Sequence, residues 1–197
     1  MGRIFCLMGK SSSGKDTVYK MLLEEASLGL NSIVIYTTRP IRLGEKDGKE
    51  YHFVTTDQLE QMEKAGRVIE RRTYHTALGD WNYFMADDGS IDCDNNDYLI
   101  IGTVESYVSM KKYYGDERVV PVYMEVDDGI RLQRALTREM SEKEPKYEEM
   151  CRRFLADCKD FSEEKLQEAG IEKRFANISL GDTVEALKEY IHGYKSK

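Results

Sequence analysis

Short unbroken apolar runs alternate along the chain with segments whose apolar residues recur every three or four positions. That alternation predicts strands and helices in turn. Ile4-Phe5-Cys6-Leu7-Met8 reads as a buried strand, and Met1-Gly2-Arg3 runs straight into it, so the N-terminus is expected to be buried. Val18, Met21, Leu22 and Ala26 mark one face of a helix from about Asp16 to Leu28, stopped at Gly29. Ser32-Ile33-Val34-Ile35-Tyr36 predicts a second strand, and Pro40 forbids regular pairing beyond it. Tyr51-His52-Phe53-Val54 alternates as a strand should. Thr56 or Asp57 is expected to cap a helix with Leu59, Met62 and Ala65 on its apolar side. Val68-Ile69-Glu70 is extended, and Tyr74, Leu78, Trp81, Tyr83 and Phe84 crowd the following segment as packing for a small subdomain.

The second half repeats the rhythm. Tyr98-Leu99-Ile100-Ile101 predicts a strand, followed by a helix to Tyr114. The run from Val119 to Val126 predicts another strand, with Asp127 as cap of the next helix. A charged break spans Ser141 to Pro145, and a helix restarts at Lys146. Arg174 to Ile178 reads as a last strand and Asp182 to Tyr194 as a terminal helix. Strands alternating with helices imply an α/β fold with a mostly parallel sheet covered on both faces.

With 197 residues, the chain suits one domain with a substantial core. Its net charge of -7 argues against a nucleic-acid or membrane-surface partner, so any anion must be bound by a local cluster of Lys and Arg. No apolar run approaches the ~20 residues of a membrane span. Cys6, Cys93, Cys151 and Cys158 form no CxxC pair and read as reduced thiols of a cytoplasmic protein. His52, His75 and His192 form no metal constellation.

The candidate chemistry begins directly after the first strand, at Gly9-Lys10-Ser11-Ser12-Ser13-Gly14-Lys15-Asp16-Thr17. Strand, glycine-bounded loop and helix in that order are the context of a phosphate-binding P-loop. Gly9 and Gly14 let the backbone wrap a phosphate with N–H groups inward, the helix N-terminus adds positive potential, and Lys15 reaches the terminal phosphates. Asp16 stands where Ser or Thr usually supplies a hydroxyl to Mg²⁺, and that hydroxyl comes one residue later, on Thr17. Further on, Arg39 and Arg42 leave a strand end together, an arrangement suited to gripping a phosphate. Glu70 is a carboxylate among residues that want burial, so it needs a partner. Arg134 and Arg138 share a helix face, and Arg152 and Arg153 return from beyond the charged break. Arginines on both sides of that break suit a lid closing over a triphosphate.

Taken together, these parts resemble the guanylate kinase family of P-loop nucleoside monophosphate kinases, over almost the whole chain. The most specific segment runs Thr37-Thr38-Arg39-Pro40-x-Arg42-x-Gly44-Glu45-x-Asp47-Gly48-x-x-Tyr51-x-Phe53. The resemblance implies a P-loop three-layer fold with a nucleotide-binding core at residues 1–35 and 97–197, a substrate-binding insert at 36–96 and an Arg-rich lid at 138–148. It implies transfer of the γ-phosphate of MgATP to GMP or dGMP, with ATP and Mg²⁺ as cofactors. Gly9, Ser11, Ser12, Ser13, Gly14, Lys15, Asp16 and Thr17 would cradle the ATP phosphates, and Asn177 would lie near the adenine. Arg39, Arg42 and Tyr51 would hold the acceptor phosphate, and Glu70 would read the guanine. Lys15, Arg134, Arg138 and Arg152 (or Arg153) would neutralise the group in transfer. No covalent intermediate is needed.

Several positions depart from the family pattern. Thr103 replaces its second guanine-reading carboxylate, Ile101 replaces an earlier acidic residue, and Ile35 falls where a serine is expected. The tyrosine expected soon after Glu70 has no clean counterpart, although Tyr83 can serve. Each missing contact weakens guanine selection by about 1–3 kcal/mol. Loss of the acidic residue leaves Asp16 as the protein ligand to Mg²⁺. Leu7-Met8-Gly9, Gly14-Lys15-Asp16, Thr38-Arg39-Pro40 and Gly102-Thr103 also resemble ribose 1,5-bisphosphate phosphokinase, which would make the acceptor a sugar phosphate. A non-catalytic protein-binding module of the same fold is a third reading, but it predicts loss of the P-loop lysine or lid arginines, and this chain keeps both. Oligomeric state is not legible.

Overall fold

The computed structural model describes residues 1–76 and 79–195. Its elements are β1 (Ile4–Met8), α1 (Lys15–Glu24), β2 (Leu30–Ser32), β3 (Tyr36–Thr37), β4 (His52–Phe53), α2 (Thr56–Lys64), β5 (Val68–Thr76) and β6 (Gly79–Ala86). Then come β7 (Asp97–Ile101), α3 (Val104–Tyr114), β8 (Val119–Glu125), α4 (Asp128–Met140), α5 (Tyr147–Asp160), α6 (Glu163–Glu168), β9 (Arg174–Ala176) and α7 (Leu180–Lys195).

Among the described residues, five strands form an all-parallel sheet in the order β2-β7-β1-β8-β9. Its centre is β1, and the pleat explains the unbroken apolar run. Ile4, Cys6 and Met8 face one layer, built with Val104, Tyr107 and Met110 of α3 and Leu166 of α6. Phe5 and Leu7 face the other, built with Val18 and Leu22 of α1 and Val184, Leu187 and Ile191 of α7. A strand covered by helices on both faces has no polar side to show. The expected three-layer α/β fold with a mostly parallel sheet is therefore what the chain adopts.

A second sheet, β4-β3-β6-β5, is largely antiparallel and built on the β5–β6 hairpin. Leu59, Phe84 and Ala86 form its own small core with Val54, Met62 and Val68. Leu78, expected to pack there, lies outside the described residues.

Four local expectations are corrected. The run 32–36 is not one strand: β2 ends at Ser32 in the first sheet, and β3 begins at Tyr36 in the second. The apolar residues between them wall the gap that separates the two sheets. Helix α1 ends at Glu24, because Glu25 turns extended and Leu28 dips into the core at 0 % exposure. The cap of α2 is Thr55, not Thr56 or Asp57. Thr55 Oγ1 accepts from Gln58 N while Gln58 Oε1 accepts from Thr55 N, a reciprocal capping box. Finally, Met1 is 64 % exposed, and burial begins at Gly2, where a Cβ would stand 1.9 Å from the Asn96 carbonyl oxygen.

Candidate active site

The loop between β1 and α1 is wound tightly enough to need its glycines. Gly14 has φ +87, and a Cβ on it would lie 2.5 Å from Asn177 Nδ2. A Cβ on Gly9 would meet Met124 O and Ser13 Oγ, both at 2.9 Å. Ser12 holds a left-handed φ of 63, which is rare for a residue with a side chain. The Ser12 and Ser13 hydroxyls are buried without a hydrogen-bond partner. Orphaned polar atoms in a loop of this shape suit an anionic ligand that they would bond.

Ser11 is gripped at both ends of its peptide unit. Its N–H donates to Asp157 Oδ2 at 2.7 Å, and its carbonyl accepts from Arg131 Nη1 at 3.0 Å. The amide expected among the phosphate donors is thus already satisfied by a carboxylate. Arg131 is 1 % exposed, bonds Asp128 Oδ1 through Nε and Nη2, and lies over the Phe154 ring. Arg153 Nη2 donates to Ser11 Oγ at 3.3 Å. Asn177 Nδ2 donates to Ser13 O at 2.8 Å, so this side chain braces the loop directly.

Of the cavities that border the loop, two gather most of the expected site residues. The smaller, about 360 Å³, brings together Ser12, Gly14, Asp16, Thr17, Arg134, Arg138 and Asn177. The larger, about 1020 Å³, lies between the two sheets. Ile33, Ile35, Ile100, Ile101 and Tyr19 give it an apolar wall, and Tyr51, Tyr74, Trp81 and Tyr83 an aromatic one. Arg42, Arg72, Arg152 and Arg153 supply its cations, and Asp16, Glu50 and Glu149 its carboxylates. Asp16 is the residue that lines both cavities. Lys15, half-buried, opens α1 beside it.

Not every expected residue arrives with free hands. Arg39 is 4 % exposed and fully engaged: Nη1 and Nη2 grip the two oxygens of Glu45, Nη1 also reaches Pro40 O, and Nε donates to Tyr83 Oη. Its guanidinium stands over the rings of Tyr51 and Phe53. Arg39 therefore organises the aromatic wall, and Arg42, stacked over Trp81, is the arginine of the pair that lines the cavity. The Arg39 guanidinium in turn holds the Glu45 carboxyl down at about 2, from an ordinary 4.5. Glu70 is not on the cavity wall either. Its side chain is 7 % exposed and paired with Arg72 at 3.2 Å. Thr103 spends its hydroxyl capping α3, accepting from Ser106 N. Arg152 lines the cavity but is held by both oxygens of Glu149.

The residues that sequence reasoning missed are mostly partners from distant segments: Asp128 and Asp157, with Arg131 between them. Arg72 had a signal, because strand alternation from Glu70 puts it on the same face.

A glycine-bounded loop before the first helix of a parallel three-layer sheet, with arginines and a second cavity beside it, defines a P-loop fold. The comparisons with known proteins sharpen this. The family model for guanylate kinase matches residues 1–82. A guanylate kinase of Rhodopseudomonas palustris is 44% identical over 69 residues, which is 35% of this chain and 31% of that protein. The aligned stretch thus spans about a third of that relative's length. A guanylate kinase of Chlorobaculum tepidum is 28% identical over 94% of this chain and 90% of that protein. The crystal structure of guanylate kinase from Anaplasma phagocytophilum shares the fold, with a TM-score of 0.66 at 21% identity, over 100% of this chain and 87% of that one. The resemblance to the guanylate kinase family carried by the motifs is borne out by these similarities.

Proposed function

We propose that the chain is an ATP-dependent nucleoside monophosphate kinase that moves the γ-phosphate of ATP to GMP or dGMP, giving ADP and GDP or dGDP. The observation that carries this reading is the place of Asp16: two cavities, of about 1020 and 360 Å³, both include it at the mouth of one P-loop. One nucleotide enters from each side, and their phosphates meet beside Lys15. ATP takes the smaller cavity, with its phosphates on the loop and Arg134, Arg138 and Asn177 around it. GMP takes the larger, with its phosphate toward Arg42, Tyr51 and Tyr83. Arg152 and Arg153 come from the far side of the break at 141–146 to neutralise the group in transfer, so residues 138–148 act as a lid and 36–96 as the acceptor-binding insert. Catalysis here is positioning and charge neutralisation.

The donor set also fits a phosphate-borne metal. Among the described residues no three His, Cys, Asp or Glu side chains converge, so a divalent cation has no all-protein cage. Mg²⁺ typically takes one or two carboxylates beside phosphate oxygens and water. Asp16 would be that carboxylate, directly or through water, with Thr17 next to it. Bound there, Mg²⁺ would neutralise and orient the phosphate oxygens. Four free cysteines suit a reducing compartment, and we assign the protein to the cytoplasm.

A sugar bisphosphate fits the larger cavity less well, since it has no flat apolar face to set against four isoleucines and a tryptophan. The test is a coupled assay with MgATP and GMP, dGMP, AMP, UMP or ribose 1,5-bisphosphate. Turnover of GMP and dGMP, abolished by Lys15→Ala, is expected. Turnover of the sugar phosphate alone would refute the acceptor. ATP binding without transfer to any acceptor would mark a binding module.

A further inference from the structure

Arg72 is the group in the acceptor cavity that the transfer reaction leaves unused. Glu70, Arg72 and Tyr74 alternate along β5, and Arg72 and Tyr74 line the cavity. The Arg72 side chain is 23% exposed. Its Nη2 donates to Glu70 Oε1 at 3.2 Å, and its Nε is buried with no hydrogen-bond partner. Glu70, nearly buried, stands as the counter-charge that fixes the guanidinium.

An arginine offers donors and no acceptors, so whatever binds against it must present acceptor atoms. The neighbouring walls are flat and apolar: isoleucines on one side, the Trp81 and Tyr74 rings on the other. That combination fits a planar heteroaromatic ring with acceptors on one edge. A 6-oxopurine carries O6 and N7 side by side, the pair that an arginine fork matches. Adenine turns a 6-amino donor toward the same group. The carboxylates and the threonine best suited to read the opposite edge are committed elsewhere. Glu70 is paired with Arg72, Thr103 caps α3, Glu149 holds Arg152, and Glu50 Oε2 accepts from Lys46 N. Asp16 sits at the phosphate end.

We propose that Arg72 determines base specificity by donating to O6 and N7 of a 6-oxopurine, with Glu70 as its positioning residue. The inference rests on the proposed nucleotide acceptor and changes what is read. The 6-oxo edge is recognised and the 2-amino group is not, so IMP is treated much as GMP is.

The experiment compares kcat/KM for GMP, IMP and AMP in the wild-type protein, Arg72→Ala and Arg72→Lys. In the wild type, IMP is expected within about tenfold of GMP. AMP is expected roughly 5- to 150-fold below both, the range of one bidentate contact. Arg72→Ala lowers GMP and IMP together, through KM, and flattens their advantage over AMP while the KM for ATP stays put. Arg72→Lys keeps the charge and loses the fork, so it recovers little of that advantage. An unchanged GMP-to-AMP ratio in Arg72→Ala overturns the assignment. So does a wild-type IMP rate more than about 100-fold below GMP, a measurement that stands even where the variant does not fold. If the wild type phosphorylates no nucleoside monophosphate, the proposed function fails by itself. Titration calorimetry of GMP, IMP and AMP then decides Arg72: GMP and IMP above AMP supports it, and equal binding of all three overturns it.

Discussion

Removing the Asp157 carboxylate should loosen the P-loop from behind. In Asp157→Ala the Ser11 N–H loses a charge-assisted acceptor at 2.7 Å, and Arg131 loses a counter-charge at 3.6 Å. Leaving a buried donor unpaired costs about 1–3 kcal/mol. Breaking a buried ion pair outright costs about 3–5 kcal/mol, but Arg131 keeps Asp128 and the Ser11 carbonyl, so only part of that applies. The sum is about 3 kcal/mol. For a chain of this length each kcal/mol moves Tm by roughly 2–4 °C, so a fall of about 6–12 °C is expected. Asp157→Asn retains an acceptor for Ser11 and should cost about 1 kcal/mol. Urea unfolding monitored by circular dichroism, with calorimetry for Tm, measures both. The KM for ATP should rise in Asp157→Ala and that for GMP should not. A change in stability under about 0.5 kcal/mol refutes the pinning role. A fall in the KM for ATP would show the carboxylate acting as a competitor of phosphate instead.

Gly14→Ala should destabilise by about 2–3 kcal/mol in urea unfolding. It forces a side chain into φ +87 and pushes Asn177 off the Ser13 carbonyl; a loss under about 0.5 kcal/mol contradicts this. The Glu45–Arg39 pair should make stability acid-sensitive. The folded value near 2 lies below the ordinary 4.5, so the contribution is complete above pH 4.5 and disappears as pH falls toward 2. Glu45→Gln should therefore match the wild type near pH 2 and fall short of it above 4.5; parallel pH profiles would exclude the pairing. Asp16→Ala should raise the Mg²⁺ concentration needed for half-maximal activity by roughly 10- to 100-fold. Without Mg²⁺, the same variant should bind ATP more tightly than the wild type, and full Mg²⁺-dependent activity would remove Asp16 from the metal site.

The fold was legible where one element carries its own pattern. The run Ile4 to Met8 and the spacing of Val18 and Leu22 are local facts, and the strand and helix follow from them. Ile33 and Ile35 mislead because an apolar run bridging two sheets looks like one crossing a single sheet; they pack against the edge of the core and wall the cavity beside it. The stretch holding Phe161, Leu166 and Ile171 carries no legible pattern. All three are buried, but at five-residue spacing around a six-residue helix, which matches neither period. In the site, the P-loop was legible because its chemistry lies in nine consecutive residues. Its supports were not: Ser11 and Asp157 are 146 positions apart, and nothing near either residue announces the other. Glu45 and Arg39 were both visible, but not that one would occupy the other.

The position that departs most from a P-loop pattern also has the most physical consequence. Asp16 is an exposed carboxylate that lines both cavities, at the mouth of the site proposed to collect phosphates. Two like unit charges 4 Å apart repel by about 4 kcal/mol at an effective dielectric near 20. Set against a triphosphate alone, this residue would therefore oppose the Lys15 and arginine charges around it. Were Asp16 to hold a divalent cation, the sign would reverse, since the carboxylate would then contribute to holding a positive charge that favours the phosphates. A hydroxyl at this position would assist nucleotide binding weakly with or without metal, whereas a carboxylate hinders without it and helps with it. The opposite effects expected of Asp16→Ala in the presence and absence of Mg²⁺ come from that reversal. A purely structural Asp16 would shift both measurements in the same direction.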